Sequence, residues 1–489
     1  MNKKHILENK KGLFVSLALI IILGLAIYAN SLGGQFIWDD ELLVRDNAYI
    51  RDWTNMRNIF TKDIGSGAGR AFKPYRPLQI FTYAIDYSLW GPGVRGYHLT
   101  NAILHILVAL ALYWFINTLY ADRLISLFTS IFYLVHPVHV EAVSFISGRA
   151  DPLAALFMLL CFIFYIKHID SKRISLYLCM AASYILAVFS RESSLILPLL
   201  LLLYHYAFKK RINLKGFLSL VGIAILFILV RYNIFKCAVF PEAGTSTVLQ
   251  RVPGFFAALT EYIRILFLPL NLHTGYGDRL FNLLNPKAII GVIILAFLSL
   301  YLFYAAGTKK RDPKDMIFFG VSWFLITLLP QSNLYYISAY MAEHWLYIPS
   351  IGFFLILARF LSRACRIEKL KVLTAVFIIG LLGFYSYLTI KQNDYWREPI
   401  AFYERTLRYA PDNPKLCINL GNLYRNTGRK EEAEFLFERA IEINPHDAIA
   451  HNNLGNIYSE LGKNTAAIAS YNKAIAIDPR YAKAHHSLG

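Results

Sequence analysis

Three acidic residues, Asp39, Asp40 and Glu41, follow one another directly after the first long apolar run, with Trp38 before them as an interfacial anchor. Carboxylates in a row repel one another. At least one is therefore expected to hold its proton to higher pH, into the range where it works as a general base. A solvated loop start accounts for the same residues equally well. Farther along, Lys73, Arg76 and Arg95 are of the types that bind a phosphate. His98, Asn101 and His105 then recur at helical spacing, so they share one face of an apolar helix. A polar stripe of that kind faces the bundle interior or a water-filled cavity.

A further group is His136-Pro-Val-His139-Val-Glu141, followed by Gly148-Arg149-Ala150-Asp151. Its His and Glu have the side-chain types of a metal site. No third or fourth ligand is in view, so a hydrogen-bonded loop that shapes a cavity is the preferred reading. No metal is assigned, and a requirement for a divalent ion stays open. Arg191-Glu192 and Glu343-His344 complete the ionisable residues at the ends of apolar runs. Each pair is either a substrate contact or an ion pair between helices. Such groups cost free energy at a bilayer boundary and tend to serve function.

These residues need elements to hold them. Of 489 residues, 56% are hydrophobic and only 17% charged, and runs long enough to cross a bilayer recur through the first 390. The net charge of +18 sits in short loops between those runs, so it reads as topology rather than as nucleic-acid binding. The five cysteines form no CxxC pair or regular spacing, which argues against a disulfide framework or a structural zinc site. The basic N-terminus leads into an apolar stretch, Gly12 to Trp38, without a small-residue cleavage site. It reads as an uncleaved first span.

About eleven spans are expected, near 12–30, 99–118, 124–136, 152–167, 174–189, 193–208, 216–231, 288–306, 315–330, 344–361 and 371–390. Alternate connections carry the basic clusters: Lys3, Lys4, Lys10 and Lys11; Lys167, Lys172 and Arg173; Lys209, Lys210 and Arg211; Lys309, Lys310 and Arg311; and Arg363, Arg366, Lys369 and Lys371. The positive-inside rule places all of them, and the N-terminus, in the cytoplasm. The C-terminus is then outside. Parity leaves no room for a crossing by Pro253 to Leu272, which carries Glu261 and Arg264 and reads as an interfacial or re-entrant helix.

The last part of the chain repeats. Pro411, Pro445 and Pro479 lie 34 residues apart, as do Leu420-Gly421, Leu454-Gly455 and Leu488-Gly489. Tyr424 and Tyr458, Ala433 and Ala467, Phe437 and Tyr471, and Ala440 and Ala474 follow the same period. This is the pattern of tetratricopeptide (TPR) helix pairs. Two repeats are full and a third stops at Gly489, where a polar capping helix is lacking, so the natural chain is expected to run on. The expected organisation is a membrane domain over 1–390 with a large outer loop at 31–98, a linker and degenerate TPR helix over 391–411, and repeats over 412–489. The fold class is all-α: a polytopic membrane helix bundle followed by a TPR α-solenoid.

The order of motifs WDDE, YRPL, HLTNAILH, HPVHVEAV, GRADPLAALFMLL, RESS and AEHWLYIPS resembles the transmembrane-and-TPR-containing O-mannosyltransferase family over nearly the whole chain. Its bacterial relatives keep the same order. The resemblance implies a C-type glycosyltransferase fold and an active site at the outer membrane face. It also implies a polyprenyl-phosphate sugar as donor, dolichyl-phosphate mannose in eukaryotic members, and a protein hydroxyl as acceptor. It assigns catalysis to Asp39 and Asp40, with the base at Asp40. Donor-phosphate or substrate binding then falls to Arg76, His98, His136, His139, Glu141, Arg149, Asp151, Arg191, Glu192, Glu343 and His344. His344 stands where the family often has Arg, which makes a charge there depend on pH. No nucleotide-binding glycine loop is visible, as suits a lipid donor. The partners expected are membrane lipid, the lipid-linked sugar and a protein engaged through the TPRs, in the cytoplasmic membrane of a bacterium or the endoplasmic reticulum of a eukaryote. The rival from another class is a non-catalytic, membrane-anchored TPR scaffold for envelope assembly.

The topology makes the first prediction. A reporter that works only outside the cytoplasm should be active when fused after Ile390 and silent after Lys210; the reverse pattern would overturn the parity argument.

Overall fold

The computed structural model describes residues 3–70, 72, 74–235, 246–277, 279–308, 312, 314–334, 337 and 339–488. Lys73, Lys309, Lys310, Arg311 and Gly489 lie outside these residues. The described residues are helices and connecting turns, and the chain divides into two units. The first comprises Met1–Leu272 and Asp278–Asp394, and the second His273–Gly277 and Tyr395–Gly489.

The first unit has an apolar helix at every expected span position. Six are long and apolar enough to cross a bilayer: Lys11–Gly33, Val94–Tyr120, Ile146–Ser171, Leu214–Phe235, Pro286–Gly307 and Glu368–Arg397. The pair Arg123–Val135 and Pro137–Ser144, bent by 57°, has the form of a broken span or a re-entrant loop. The bend falls where Pro137 supplies no backbone N–H and the His136 Nδ1 accepts the N–H of Val138 instead. Ile174–Ser190, Glu192–Ala207 and Met316–Gln331 are shorter apolar helices. At 1.5 Å per residue such helices reach about 25 Å, less than the usual 30 Å of hydrocarbon. Among the described residues six helices have the length to cross, or seven if the bent pair is a single span, against the eleven expected.

Sequence spacing placed several ends too narrowly. The helix expected at 99–118 runs from Val94 to Tyr120, and the last one extends to Arg397. The loop at 31–98 is correspondingly full of structure, including the helix Pro77–Trp90. The stretch set apart as interfacial is the helix Val248–Phe267, started by a Thr247–Gln250 capping box. Its Glu261 pairs with Arg264 and Lys287, each at 2.6 Å.

Close helix crossings depend on glycine. A Cβ on Gly352 would lie 2.2 Å from the carbonyl oxygen of Gly320, and one on Gly320 would lie 2.7 Å from that of Gly352. The helices Met316–Leu328 and Ser350–Cys365 therefore meet backbone to backbone, as small residues allow in membranes. Beside this crossing, the buried Trp323 Nε1 donates to the Ile348 carbonyl at 3.0 Å.

The second unit stacks helices in pairs. Pro414–Asn426 pairs with Lys430–Ile443, and Ala448–Glu460 with Asn464–Ile477, each pair closing a glycine onto an aromatic ring: Gly421 on Phe437 and Gly455 on Tyr471. Neighbouring pairs are joined by a repeated contact. The Tyr424 hydroxyl donates to Glu404 at 2.7 Å, with Arg429 3.8 Å over the Tyr424 ring. The Tyr458 hydroxyl donates to Glu438 at 3.1 Å, with Lys463 5.3 Å over the Tyr458 ring. Each member of the second trio stands 34 residues after its counterpart in the first. Glu404 lies on Pro399–Tyr409, so that helix serves the first full repeat as Lys430–Ile443 serves the second.

The Gly320–Gly352 crossing supplies the second prediction. Gly352→Leu should lower the melting temperature of the detergent-solubilised protein, with an overpacking cost of about 1–3 kcal/mol or more. An unchanged melting temperature would mean the two helices do not approach as described.

Candidate active site

The first long helix ends in the tight turn Ala29–Gly33, and the chain then runs without regular structure to Trp38. Trp38 has φ 56, a left-handed backbone that side chains other than glycine seldom adopt. After this reversal a short helical turn, Glu41–Arg45, begins with Asp40 at its N-cap. The three acidic side chains consequently enter three environments. Glu41 is exposed and pairs with Arg45 at 2.8 Å.

Asp40 is 1% exposed. Its Oδ1 accepts the backbone N–H of Ser147 at 2.7 Å and the Ser147 hydroxyl at 2.6 Å. Its Oδ2 accepts the N–H of Ile37 at 3.3 Å. Burial pushes its pKa up to about 7, against the pull of these donors and with the charge of Asp39 adding to the rise. Asp39 is only half-buried, and among the described residues its carboxylate accepts no hydrogen bond. Burial raises its pKa and the nearby Arg76 charge opposes the rise.

The two carboxylates differ in what they have left to offer. A carboxylate closed off from solvent, with both oxygens already accepting protein N–H or O–H groups, is a poor acceptor for a substrate proton. Asp39 is the member of the pair with lone pairs to spare.

Arg76 stands beside it. Its Nε donates to Glu192 Oε2 at 3.2 Å, while Glu192 Oε1 accepts the Tyr75 N–H at 2.9 Å. Glu192 thus sets the direction of Arg76 from a distant helix start. Among the described residues only the Nε of the fork is engaged, which leaves further N–H groups for an anion.

Other candidates prove to be internal supports. Arg149 is 0% exposed and spends its guanidinium on Asp86 at 2.5 Å, Asn101 Oδ1 at 2.6 Å and the Tyr97 carbonyl at 3.1 Å, lying over the Tyr83 ring. Asp151 and Arg191 form a buried ion pair. A buried charge needs a partner: Arg149 finds Asp86, and Asp151 and Arg191 find each other. Glu141 accepts both the Nδ1 of His344 at 3.0 Å and its backbone N–H at 2.9 Å. Glu343 beside it is buried.

The histidines of the central stripe are also occupied. His105 bonds the Tyr347 hydroxyl and the Leu134 carbonyl. His139 bonds the Tyr133 carbonyl and Ser350 Oγ, and His136 bonds the Leu266 carbonyl and the Val138 N–H. Both ring nitrogens of each are used within the protein, so none has a lone pair directed at a substrate or an ion. Among the described residues no group of three or more metal-type side chains converges. His98 differs: it is 2% exposed, with neither ring nitrogen partnered, and lies so close to Gly34 that a Cβ there would sit 2.6 Å from its Nε2.

Sequence reading missed Gln79, Tyr83, Asp86 and Ser147. Gln79 Nε2 donates to the Ser147 carbonyl at 2.8 Å, and the Tyr83 hydroxyl to that of Ile146 at 2.9 Å. Asn101 Nδ2 donates to the carbonyls of Val143, Phe145 and Ile146. The available signal was polar residues on the apolar helix Pro77–Trp90; Ser147 gave none.

Comparison with known proteins bears on both units. Three repeat-family models match the C-terminal part: "Tetratricopeptide repeat" over residues 414–447 and again over 436–469, and "TPR repeat" over 455–489. A protein O-mannosyl-transferase of Caenorhabditis elegans is 27% identical over 440 residues, covering 86% of this chain and 61% of that protein. The human protein O-mannosyl-transferase TMTC1 is 25% identical over 483 residues, covering 83% and 52%. The chain thus spans between half and two thirds of the length of these relatives. Among solved structures, ArnT from Cupriavidus metallidurans bound to undecaprenyl phosphate aligns at TM-score 0.44 and 16% identity, covering 94% of this chain and 79% of that one. An Archaeoglobus fulgidus oligosaccharyltransferase aligns at TM-score 0.45 and 13% identity, covering 79% and 56%. Structural scores of that size carry no functional weight, and the sequence relationship is the informative one. Over most of its length the chain is similar in sequence to proteins named protein O-mannosyl-transferases, and its last part matches tetratricopeptide-repeat models.

Proposed function

We propose that the membrane unit is a glycosyltransferase that moves a sugar from a polyprenyl-phosphate donor to a hydroxyl of a protein acceptor on the extracytoplasmic side. The names of the relatives make mannose the first sugar to try. The observation that carries the reading is the pairing of one open carboxylate, Asp39, with an arginine whose fork is only partly spent, Arg76.

In the reaction, Asp39 takes the proton of the acceptor hydroxyl as its oxygen bonds to the anomeric carbon. The bond from that carbon to the phosphate oxygen breaks, and Arg76 stabilises the charge left on the lipid phosphate. Asp40 and Arg149 hold the site without touching the reacting atoms. Basic loops on alternate connections support the extracytoplasmic placement, and the tetratricopeptide repeats support a role in selecting a polypeptide acceptor.

Purified protein supplied with a polyprenyl-phosphate mannose and a hydroxyl-bearing peptide should yield a glycopeptide by mass spectrometry. Asp39→Asn should lower turnover by roughly 10²–10⁴-fold. Full transfer by that variant would remove the enzyme reading and favour the membrane-anchored repeat scaffold. The pH dependence has a definite sign. Asp39 must be ionised to act, and burial raises its pKa, so activity should fall as pH drops through a value above that of an exposed aspartate. Arg76 opposes that rise, so Arg76→Ala should move the acid limb to higher pH as well as slow the reaction. An acid limb unmoved in Arg76→Ala would separate the two residues.

A further inference from the structure

Asp40 has helical backbone angles, φ −61 and ψ −36, and its side chain bonds none of the N–H groups of the turn that follows. It reaches instead to a residue 107 positions away in the chain, Ser147, and takes two hydrogen bonds from it on one oxygen. Its second oxygen reaches back to Ile37, on the other side of the left-handed Trp38. A non-glycine residue with positive φ persists where its surroundings over-determine it. The bonds from Ile37 and Ser147 to one carboxylate supply that over-determination. Asp39 sits between Trp38 and Asp40, and among the described residues its side chain has no hydrogen bond to fix it.

Ser147 is itself held from several directions. Its carbonyl accepts from Gln79, and the carbonyl before it accepts from Tyr83 and Asn101. Gly148 follows, where a Cβ would lie 2.6 Å from the Glu141 carbonyl oxygen, and then Arg149 with its buried pairing to Asp86. The turn is therefore a fixed point in the first unit, and Asp40 is tied to it.

We propose that Ser147 is the positioning residue of the acidic pair: by locking Asp40 it fixes the backbone that presents the Asp39 carboxylate. This rests on the transferase reading above and adds a residue to it. Ser147 touches no substrate and acts only through Asp40. The charge that acts on Asp40 is that of Asp39, while Asp40 and Arg149 act in opposite directions on the neighbouring Tyr83 hydroxyl. Removing the Ser147 hydroxyl takes a donor from the ionised Asp40 and lets it bind a proton at higher pH. A protonated Asp40 is a weaker acceptor for the Ser147 amide, so the lock loosens from the acid side.

The test is a double-mutant cycle in the full-length protein, read as transfer from a polyprenyl-phosphate sugar to a peptide, with melting temperature measured for every variant. Ser147→Ala should lower kcat roughly tenfold to a hundredfold, as expected for a displaced catalytic group. The KM for the donor should change little, and the acid limb should move to higher pH. In an Asp40→Ala background, Ser147→Ala should cost almost nothing more, because the two act as one unit. Carboxyl infrared bands, assigned by their loss in Asp40→Ala, should titrate at higher pH in Ser147→Ala whether or not turnover is measured. A wild-type rate and acid limb in Ser147→Ala, with Asp39→Asn inactive, would overturn the lock and leave the transferase reading standing. Additive losses in the cycle would also overturn it. Full activity in Asp39→Asn would bring down the transferase reading, and the role of Ser147 with it.

Discussion

A guanidinium enclosed by an apolar helix bundle must be paired, since an isolated charge in such surroundings is far too costly. Arg149 meets that constraint with Asp86, Asn101 and a backbone carbonyl, and with no exposure to solvent. The consequence is geometric. Arg149 lies at the start of a long apolar helix, Asp86 on the helix within the first loop, and Asn101 on the next spanning helix. One side chain therefore joins three elements, and the turn leading into it, Ile146 to Gly148, has little freedom. Asp40 hangs from that turn through Ser147. The charge that must be paired and the carboxylate that must be held belong to a single network.

This arrangement separates two adjacent aspartates by function. Both are raised in pKa by burial, so the shift alone does not choose between them. Accessibility and hydrogen bonding do. Asp40 has spent its acceptor capacity inside the protein, and Asp39 has kept its own. Arg76 gives Asp39 a cationic neighbour without consuming it, because Glu192 takes only one edge of the fork. The same contrast runs through the other charged residues. Arg149 is enclosed with Asp86, and Asp151 with Arg191, whereas Arg76 and His344 keep partial exposure, at 21% and 26% of their side chains.

Much of the architecture was legible because it is periodic. Thirty-four-residue spacing gave Gly421 and Gly455 as the small residues under an aromatic, and Phe437 and Tyr471 are those aromatics. Apolar run lengths located the membrane helices, though not which have the length to cross. The helix expected at 124–136 runs Arg123–Val135, but the 57° bend after it was not legible, because a proline and a capping histidine end a helix without ending its hydrophobicity. Within the site, the sequence displayed the acidic pair but not its division of labour. That division depends on Ser147, a small, common residue with no periodic or compositional signature. It also depends on a left-handed Trp38, which nothing in its side chain announces. Long-range pairings such as Arg149 with Asp86, and Arg76 with Glu192, are likewise invisible to local pattern.

The central claim is that Asp39 faces the reacting sugar while Asp40 stays bound to Ser147. The direct measurement is a cryo-electron microscopy structure with a non-transferable polyprenyl-phosphate sugar analogue bound. The account predicts the Asp39 carboxylate within hydrogen-bonding reach of the acceptor side of the anomeric carbon, the lipid phosphate on Arg76, and the Asp40–Ser147 bonds unbroken. A structure with Asp40 released from Ser147 and turned to the sugar, and Asp39 directed away from it, would contradict it.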